Sequence, residues 1–373
     1  MEEKIPGLNI NGLVAKVPIV QGGMSVGISL SGLASAVANE GGIGVIGGAA
    51  IGMLEPDFHK NYREANQRAL RKEIRKARDK TDGIVGVNLM VALTDYEELL
   101  MTAIDEGVDA LFLGAGLPLK FPADLLPDRI RKIKTKLVPI VSSGRAARII
   151  FRHWARKYKR IPDAVVVEGP KAGGHLGFKR EQIDDPEYRL EKLVPEVIEA
   201  IEPFEKEFAK KVPVIAAGGI YSGRDIYKFL KLGASGVQMA TRFVATHECD
   251  ASQEFKMQYV RAKKEDIVII DSPVGLPGRA IRNSFLEKVS RGEKAPFTCP
   301  WKCLRTCDYR KSPYCIALAL TNAKKGKFAY GFAFAGANAY LVDKIVSVKE
   351  LITELIDDLS RAISANLSLP QMG

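Results

Sequence analysis

Apolar residues in this chain gather into short, nearly unbroken runs separated by amphipathic stretches. Eight runs stand out: VPIVQ (17–21), IGVIG (43–47), IVGVNLM (84–90), ALFLGA (110–115), LVPIVSS (137–143), AVVVEG (164–169), VPVIAAG (212–218) and GVQMAT (236–241). Continuous Val/Ile-rich runs, as opposed to alternating ones, mark strands covered on both faces, as in parallel sheets. Between them, residues 31–39, 95–106, 146–157, 193–208 and 223–232 carry apolar positions at helical spacing. Strand and helix in regular alternation give a parallel sheet wrapped in helices. Eight such units favour closure into a (β/α)8 TIM barrel, an α/β fold. Six or seven true strands would keep an open doubly wound sheet in play.

The rhythm stops after the eighth run. Residues 244–336 lack it, contain two helix-like runs (253–263 and 316–325) and hold all five cysteines. They read as a smaller, mainly helical lobe inserted after the eighth strand. Residues 346–363 form an amphipathic helix with Leu351, Leu355 and Leu359 on one stripe, expected to return to the barrel. The expected division is therefore a barrel at 1–243, a lobe at 244–336 and a returning C-terminal segment at 337–373.

Composition changes this picture little. The chain has 373 residues, 46% hydrophobic and 27% charged, which suits a soluble protein with a large core. Its net charge of +11 is concentrated partly at 61–80, where Arg and Lys recur at helical spacing. Such a stretch suits an anionic partner such as an acyl carrier protein. Nucleic acid is not expected, since no aromatic residues interleave for base stacking. Glu64 and Glu73 among the cations favour a solvated helix face. No basic segment followed by an apolar run opens the chain, so a signal peptide is not expected. Residues 33–53 carry Glu40 and six glycines and read as helix, turn and strand, not as a membrane span. A cytoplasmic protein with no membrane contact, able to form a homodimer, is the expectation.

Candidate chemistry clusters where the strand runs end. Gly22, Gly23 and Met24 follow the first and Asn88 lies near the end of the third. Glu168, Gly173, Gly174 and His175 follow the sixth, Gly218 and Gly219 the seventh, and Gln238, Met239, Ala240 and Thr241 end the eighth. In a barrel all of these fall on the C-terminal face, where such folds place their chemistry and where the loops after the last two strands hold phosphate. Glycines there let backbone N–H groups approach an anion closely. An imidazole at the same rim, His175, is a candidate base; its alternative role is to orient the glycine turn. No G-x-G-x-x-G opens a helix after the first strand, which disfavours a dinucleotide fingerprint.

The motifs PIVQGGM, GVNLM, EGPKAGGHLG, VPVIAAGGI and GASGVQMATRF, in this order, resemble the nitronate monooxygenase (2-nitropropane dioxygenase) family. The related flavin-dependent enoyl-acyl-carrier-protein reductases are also similar. The resemblance implies an FMN-binding barrel with its phosphate on Gly219 and on Gln238, Met239, Ala240 and Thr241. It places Gly22, Gly23, Met24, Asn88, Glu168 and Gly173 around the ring and ribityl, with Gly174 and Gly218 completing the set. His175 resembles the family's base, removing the acidic proton of a small nitroalkane so that the nitronate gives electrons to FMN and dioxygen reoxidises it. The close alternative is an NAD(P)H-dependent reduction of an enoyl-acyl carrier protein or a quinone. The sequence departs from the family at Ala240, where glycine is usual, and at Glu168, where many members carry glutamine.

Four cysteines stand apart from this pattern. Cys299, Cys303, Cys307 and Cys315 are spaced C-x3-C-x3-C-x7-C. Pro300 suits a first helical position, and a helix there would put Cys303 and Cys307 on one face. Clustered thiols in a reducing compartment suit an iron–sulfur cluster or zinc, or else unligated thiols or redox pairs. The spacing matches neither zinc-ribbon nor ferredoxin patterns. His59 and His153 lie among charged helix residues and read as surface positions, and His247 falls just past the eighth strand. Arg279 and Arg282, in SPVGLPGRAIRN, read as anchors of a linker or as contacts for a substrate anion.

Overall fold

A computed structural model of the chain describes residues 5–123, 125, 127–293, 297–299 and 301–367. The chain opens with a hairpin, β1 (Leu8–Ile10) and β2 (Leu13–Ala15), turned by Asn11 and Gly12. Both turn residues have positive φ, 51° and 91°, the two-residue Asn-Gly geometry whose twist matches paired strands. The barrel strands are β3 (Ile19–Gln21), β4 (Ile43–Gly47), β5 (Ile84–Met90), β6 (Ala110–Gly114), β7 (Lys136–Val141), β8 (Val165–Glu168), β10 (Val214–Ala217) and β11 (Gly236–Met239). Strand β9 (Gly174–His175) stands outside them. All eight barrel strands pair in parallel, and β11 closes on β3. Each corresponds to one apolar run of the sequence.

The two faces of the barrel wall bury separate cores. Inside, Val20, Ile43, Val45, Phe112, Val138, Val166 and Ile215 pack together, and Leu8, Ile10 and Ala15 of the hairpin plug the N-terminal end. Outside, helices at Ser31–Asn39, Phe58–Arg78, Tyr96–Asp105, Pro127–Lys132, Gly144–Tyr158, Leu190–Phe208 and Gly223–Lys231 bury their apolar stripes on the wall. The wall is thus apolar on both sides, which explains its unbroken runs.

After β11 come a short helix, Thr241–Val244, and helices Gln253–Arg261, Ser284–Ser290 and Ile316–Lys324. Between them, β12 (Ile267–Asp271) and β13 (Pro277–Ile281) form an antiparallel pair that adds β9 as a third strand. The helical periodicity of the flanking runs gives no sign of this pair. The last helix, Val348–Leu367, lies against the start of helix Gly223–Lys231. A Cβ on Gly223 would come 2.2 Å from the Leu359 nitrogen, so only glycine permits this approach. No described helix is long and apolar enough to cross a membrane.

Candidate active site

The loop after β3 is shaped by buried polar contacts. Gln21 Oε1 accepts from Val45 N–H at 2.9 Å, and Gly22 N–H donates to Met239 O at 2.8 Å. A Cβ on Gly23 would sit 2.4 Å from Asn88 Cβ, which places these two predicted residues in direct contact. Met24 N–H donates to Ser29 Oγ at 2.8 Å. The loop runs into helix Ser31–Asn39, whose N-cap, Leu30, has no capping side chain. Distant carboxylates cap it instead. Asp250 accepts from the N–H groups of Leu30, Gly32 and Leu33 (2.7, 3.2 and 3.1 Å), and Glu73 from the Ser31 N–H and hydroxyl (3.1 and 2.6 Å). They satisfy donors that a helix start otherwise leaves orphaned.

Two strand ends and a later segment make a second part of the rim. Gly218 and Gly219 have φ of 97° and 80°, and a Cβ on Gly219 would lie 2.8 Å from Lys171 Cβ. Gly219 O accepts from Asn338 Nδ2 at 2.8 Å, Thr241 Oγ1 from Gly336 N–H at 3.1 Å, and Lys171 O from Ala337 N–H at 3.1 Å. A Cβ on Gly173 would meet the Ala335 carbonyl carbon at 2.5 Å. The ends of β10 and β11, the 171–173 turn and residues 335–338 therefore form one continuous edge. Along it, the backbone N–H groups of Gly219, Ala240 and Thr241 donate to no protein acceptor among the described residues. Uncommitted amides beside glycines that cannot carry a Cβ fit a phosphate.

Glu168 ends β8 at the same rim. Its carboxyl makes no hydrogen bond or ion pair with a described residue, and burial pushes its pKa up to about 7. A carboxyl left without a protein partner suits a hydrogen-bonding ligand group, which fits a flavin ring edge as well as the phosphate edge fits its tail.

His175 is held by the three-stranded sheet, with its backbone in register with Gly278 of β13. Its Nε2 lies 2.7 Å from Ser272 Oγ, and its ring meets Phe334 edge-on at 5.0 Å. Burial lowers its pKa to about 4, so the ring is neutral at ordinary pH. Arg279, itself buried, donates to the carbonyls of Pro170 and Ala172 and so fixes the turn that carries His175. Arg282 donates to Glu265 O and pairs with Asp266. Both arginines are thus engaged with protein.

The remaining candidates lie elsewhere. His59 is exposed and packs on Trp301, and His247 is exposed with its N–H bonded to Val346 O. His153 corrects the surface reading, for its Nε2 is buried without a partner. The basic stretch lies on helix Phe58–Arg78, where Arg63 pairs with Glu98, Arg68 with Asp57, Arg71 and Arg75 with Glu106, and Arg78 with Asp109. It is a salt-bridged face.

The cysteine segment is not a helix. Lys302 adopts a left-handed backbone (φ 46°), Leu304 bridges to Leu93, and Arg305 N–H donates to Ala92 O. Tertiary pairing with the loop after β5 overrides the helical spacing, and Pro300 lies outside the described residues. Among the described residues no group of three ligating side chains converges to hold a single metal ion. Cys249 is separate and buried, its thiol donating to Ile28 O at 3.4 Å.

Lys171, Ser272, Gly336 and Asn338 contribute to the rim without having been singled out in the sequence. The last three come from segments that lack the barrel's rhythm, and only the glycine in GAN carries a local signal.

The family model for nitronate monooxygenase matches residues 9–358. The chain belongs to the nitronate monooxygenase family and is an oxidoreductase. FabK from Thermotoga maritima superposes with a TM-score of 0.71 at 30% identity, over 94% of both chains. A nitroalkane oxidase from Streptomyces ansochromogenes shares the fold (TM-score 0.70, 23% identity, 94% of this chain and 98% of that one). A probable nitronate monooxygenase of Staphylococcus saprophyticus is 26% identical over 75% of this chain and 80% of its own length. A carboxyl-CoA dehydrogenase of Mycobacterium tuberculosis, named for an octahydroindene substrate, is 28% identical over 74% of this chain and 66% of its own length.

Proposed function

We propose that this protein is an FMN-dependent oxidoreductase of the nitronate monooxygenase type, with His175 as its proton-transfer group. The observation that carries the reading is His175 itself, a desolvated neutral imidazole beside a glycine-lined edge of uncommitted amides. Gly219, Ala240 and Thr241 would hold the FMN phosphate, with Gly218, Gln238 and Met239 shaping that edge. Gly22, Gly23, Met24, Asn88, Glu168, Gly173 and Gly174 would line the ring and ribityl. FMN, when bound, supplies two-electron redox chemistry at this rim. A neutral imidazole accepts the acidic C–H proton next to a nitro group. Ser272 Oγ, accepting from Nε2–H, leaves the Nδ1 lone pair for that proton, and the contact survives protonation of the ring.

A second reading is favoured by the 30% identity to FabK and by the thioester named for the mycobacterial relative. On it, NAD(P)H is the electron donor and an enoyl thioester, free or on acyl carrier protein, the acceptor; the proton the substrate takes up then comes from solvent, since the His175 ring is neutral. Anaerobic stopped-flow reduction separates the two. Bleaching of the flavin by an alkyl nitronate at the rate of turnover supports the first reading. Bleaching by NADH or NADPH alone replaces it with the second, and bleaching by neither defeats both.

A further inference from the structure

We propose that Lys171 supplies the countercharge for a phosphate on the edge formed by Gly219, Ala240 and Thr241, and so makes that edge select a phosphorylated flavin over an unphosphorylated one. Lys171 takes this role on the FMN reading above, where a monophosphate carrying about −1.5 to −2 at neutral pH meets that edge.

Backbone amides alone leave such a charge uncompensated, since they are dipoles without net charge. The helix that opens at Thr241 is a single turn, Thr241–Val244, too short for aligned peptide dipoles to add much. Two cations adjoin the edge, and they differ in one respect. Arg242 is committed: its Nη2 lies 3.0 Å from both Glu354 oxygens, its Nη1 donates to Tyr221 O at 3.2 Å, and its guanidinium stacks on the Tyr221 ring at 4.4 Å. Lys171 is not. Its ammonium makes no hydrogen bond or ion pair with a described residue, and Glu191, the carboxylate whose field it shares, is bonded to Lys228 Nζ.

The stem of Lys171 is laid across Gly219. A Cβ built on that glycine would sit 2.8 Å from Lys171 Cβ and 3.0 Å from its Cδ, and the ammonium follows Cδ after one methylene. The lysine's main chain is tied to the same place. Its carbonyl accepts from Ala337 N–H at 3.1 Å, while Gly336 N–H donates to Thr241 Oγ1 at 3.1 Å and Asn338 Nδ2 to Gly219 O at 2.8 Å. A Cβ on Gly336 would meet Thr241 Oγ1 at 2.8 Å and Lys171 O at 3.6 Å. Residues 336–338 therefore hold lysine, hydroxyl and glycine together. Thr241 Oγ1 accepts from Gly336 and keeps its own hydrogen for an anion. The Lys171 side chain is exposed, so a phosphate recruits it without displacing a protein partner.

Fluorescence titration of full-length, flavin-stripped protein with FMN and with riboflavin reads this without turnover. Lys171→Met keeps the stem on Gly219 and deletes the charge. Wild type should bind FMN at least about tenfold more tightly than riboflavin. The variant should lose at least about fivefold in FMN affinity, with riboflavin affinity kept within about twofold. Added salt should weaken FMN binding more in wild type than in the variant. If Lys171→Met does not fold by circular dichroism, Lys171→Gln carries the same expectation. Equal losses for both flavins would mean that the stem only shapes the edge, and unchanged FMN affinity that the phosphate finds its charge elsewhere; either overturns the proposal. A wild type that takes up neither flavin defeats the FMN reading itself, a result distinct from those of the variant.

Discussion

The two ends of the barrel treat buried charge in opposite ways. At the N-terminal end, Asp163 accepts from Leu137 N–H (2.9 Å), Asn11 Nδ2 (3.0 Å), Arg160 Nη2 (2.5 Å) and Lys210 Nζ (2.7 Å). Burial alone would raise its pKa, but the charges of Arg160 and Lys210 win and hold it below the ordinary carboxylate range. At the C-terminal end, Glu168 and His175 are desolvated with no charge to oppose the effect, and both are pushed towards neutrality. A 680 Å³ hollow does lie at the N-terminal end, lined by Asn9, Asn11 and Lys210. Its lysines are already committed, Lys210 to Asp163 and Lys211 to Glu205. Pairing, more than burial or cavity size, separates groups that hold the fold from groups left free for chemistry.

Exchanging the properties of the two ends tests this contrast. Removing His175 should have the largest effect: His175→Ala is expected to retain yellow flavin and lose at least about a hundredfold in turnover. Unchanged turnover in steady-state assays would remove the residue from the mechanism. At the other end, Asp163→Ala removes a buried carboxylate from two partly buried cations and should cost about 3 kcal/mol in urea unfolding, with turnover per folded molecule preserved. A loss of turnover with full stability would invert the comparison.

The pH dependence of stability should also differ in sign. The folded pKa of Glu168, about 7 against an ordinary 4.5, means the folded state binds the extra proton. Its contribution to stability is therefore lost as pH rises from about 4.5 through 7, and Glu168→Gln should flatten that decline. His175 is lowered from 6.5 to about 4, so the unfolded chain binds the extra proton there. Its contribution is lost as pH falls from about 6.5 towards 4. Asp163, also depressed, contributes stability above its ordinary pKa and loses it in acid. Urea unfolding of wild type and Glu168→Gln across this range would show parallel curves if the carboxyl is not desolvated. The smallest effect is expected from Ser272→Ala, a few-fold fall in turnover with a displaced pH profile; an unmoved profile would mean that the hydroxyl does not position the imidazole.

Which features could be read in the sequence follows from how local their causes are. All eight barrel strands were legible because a wall apolar on both faces writes itself as continuous runs. The rim glycines were legible because strand ends follow from the strands. Hairpin Leu8–Ala15 was not, although Asn11-Gly12 is its turn signal, because three-residue strands are too short to show a period. Strand β12 is half-buried, and β13, buried along most of its length, pairs with β9 a hundred residues earlier. The cysteines at i, i+4 imitate a helix, but the bridge from Leu304 to Leu93 determines that segment. Ser272 and Asn338 reach the rim only through tertiary packing.

The central claim is that the edge formed by Gly219, Ala240 and Thr241 holds the phosphate of FMN. Equilibrium titration of flavin-stripped wild type and Gly219→Val with FMN tests it most directly. The account predicts saturation at one flavin per wild-type chain and at least about tenfold weaker binding by the variant, equivalent to about 1.4 kcal/mol. Equal affinity in the two proteins, or a wild type that takes up no flavin, would contradict it.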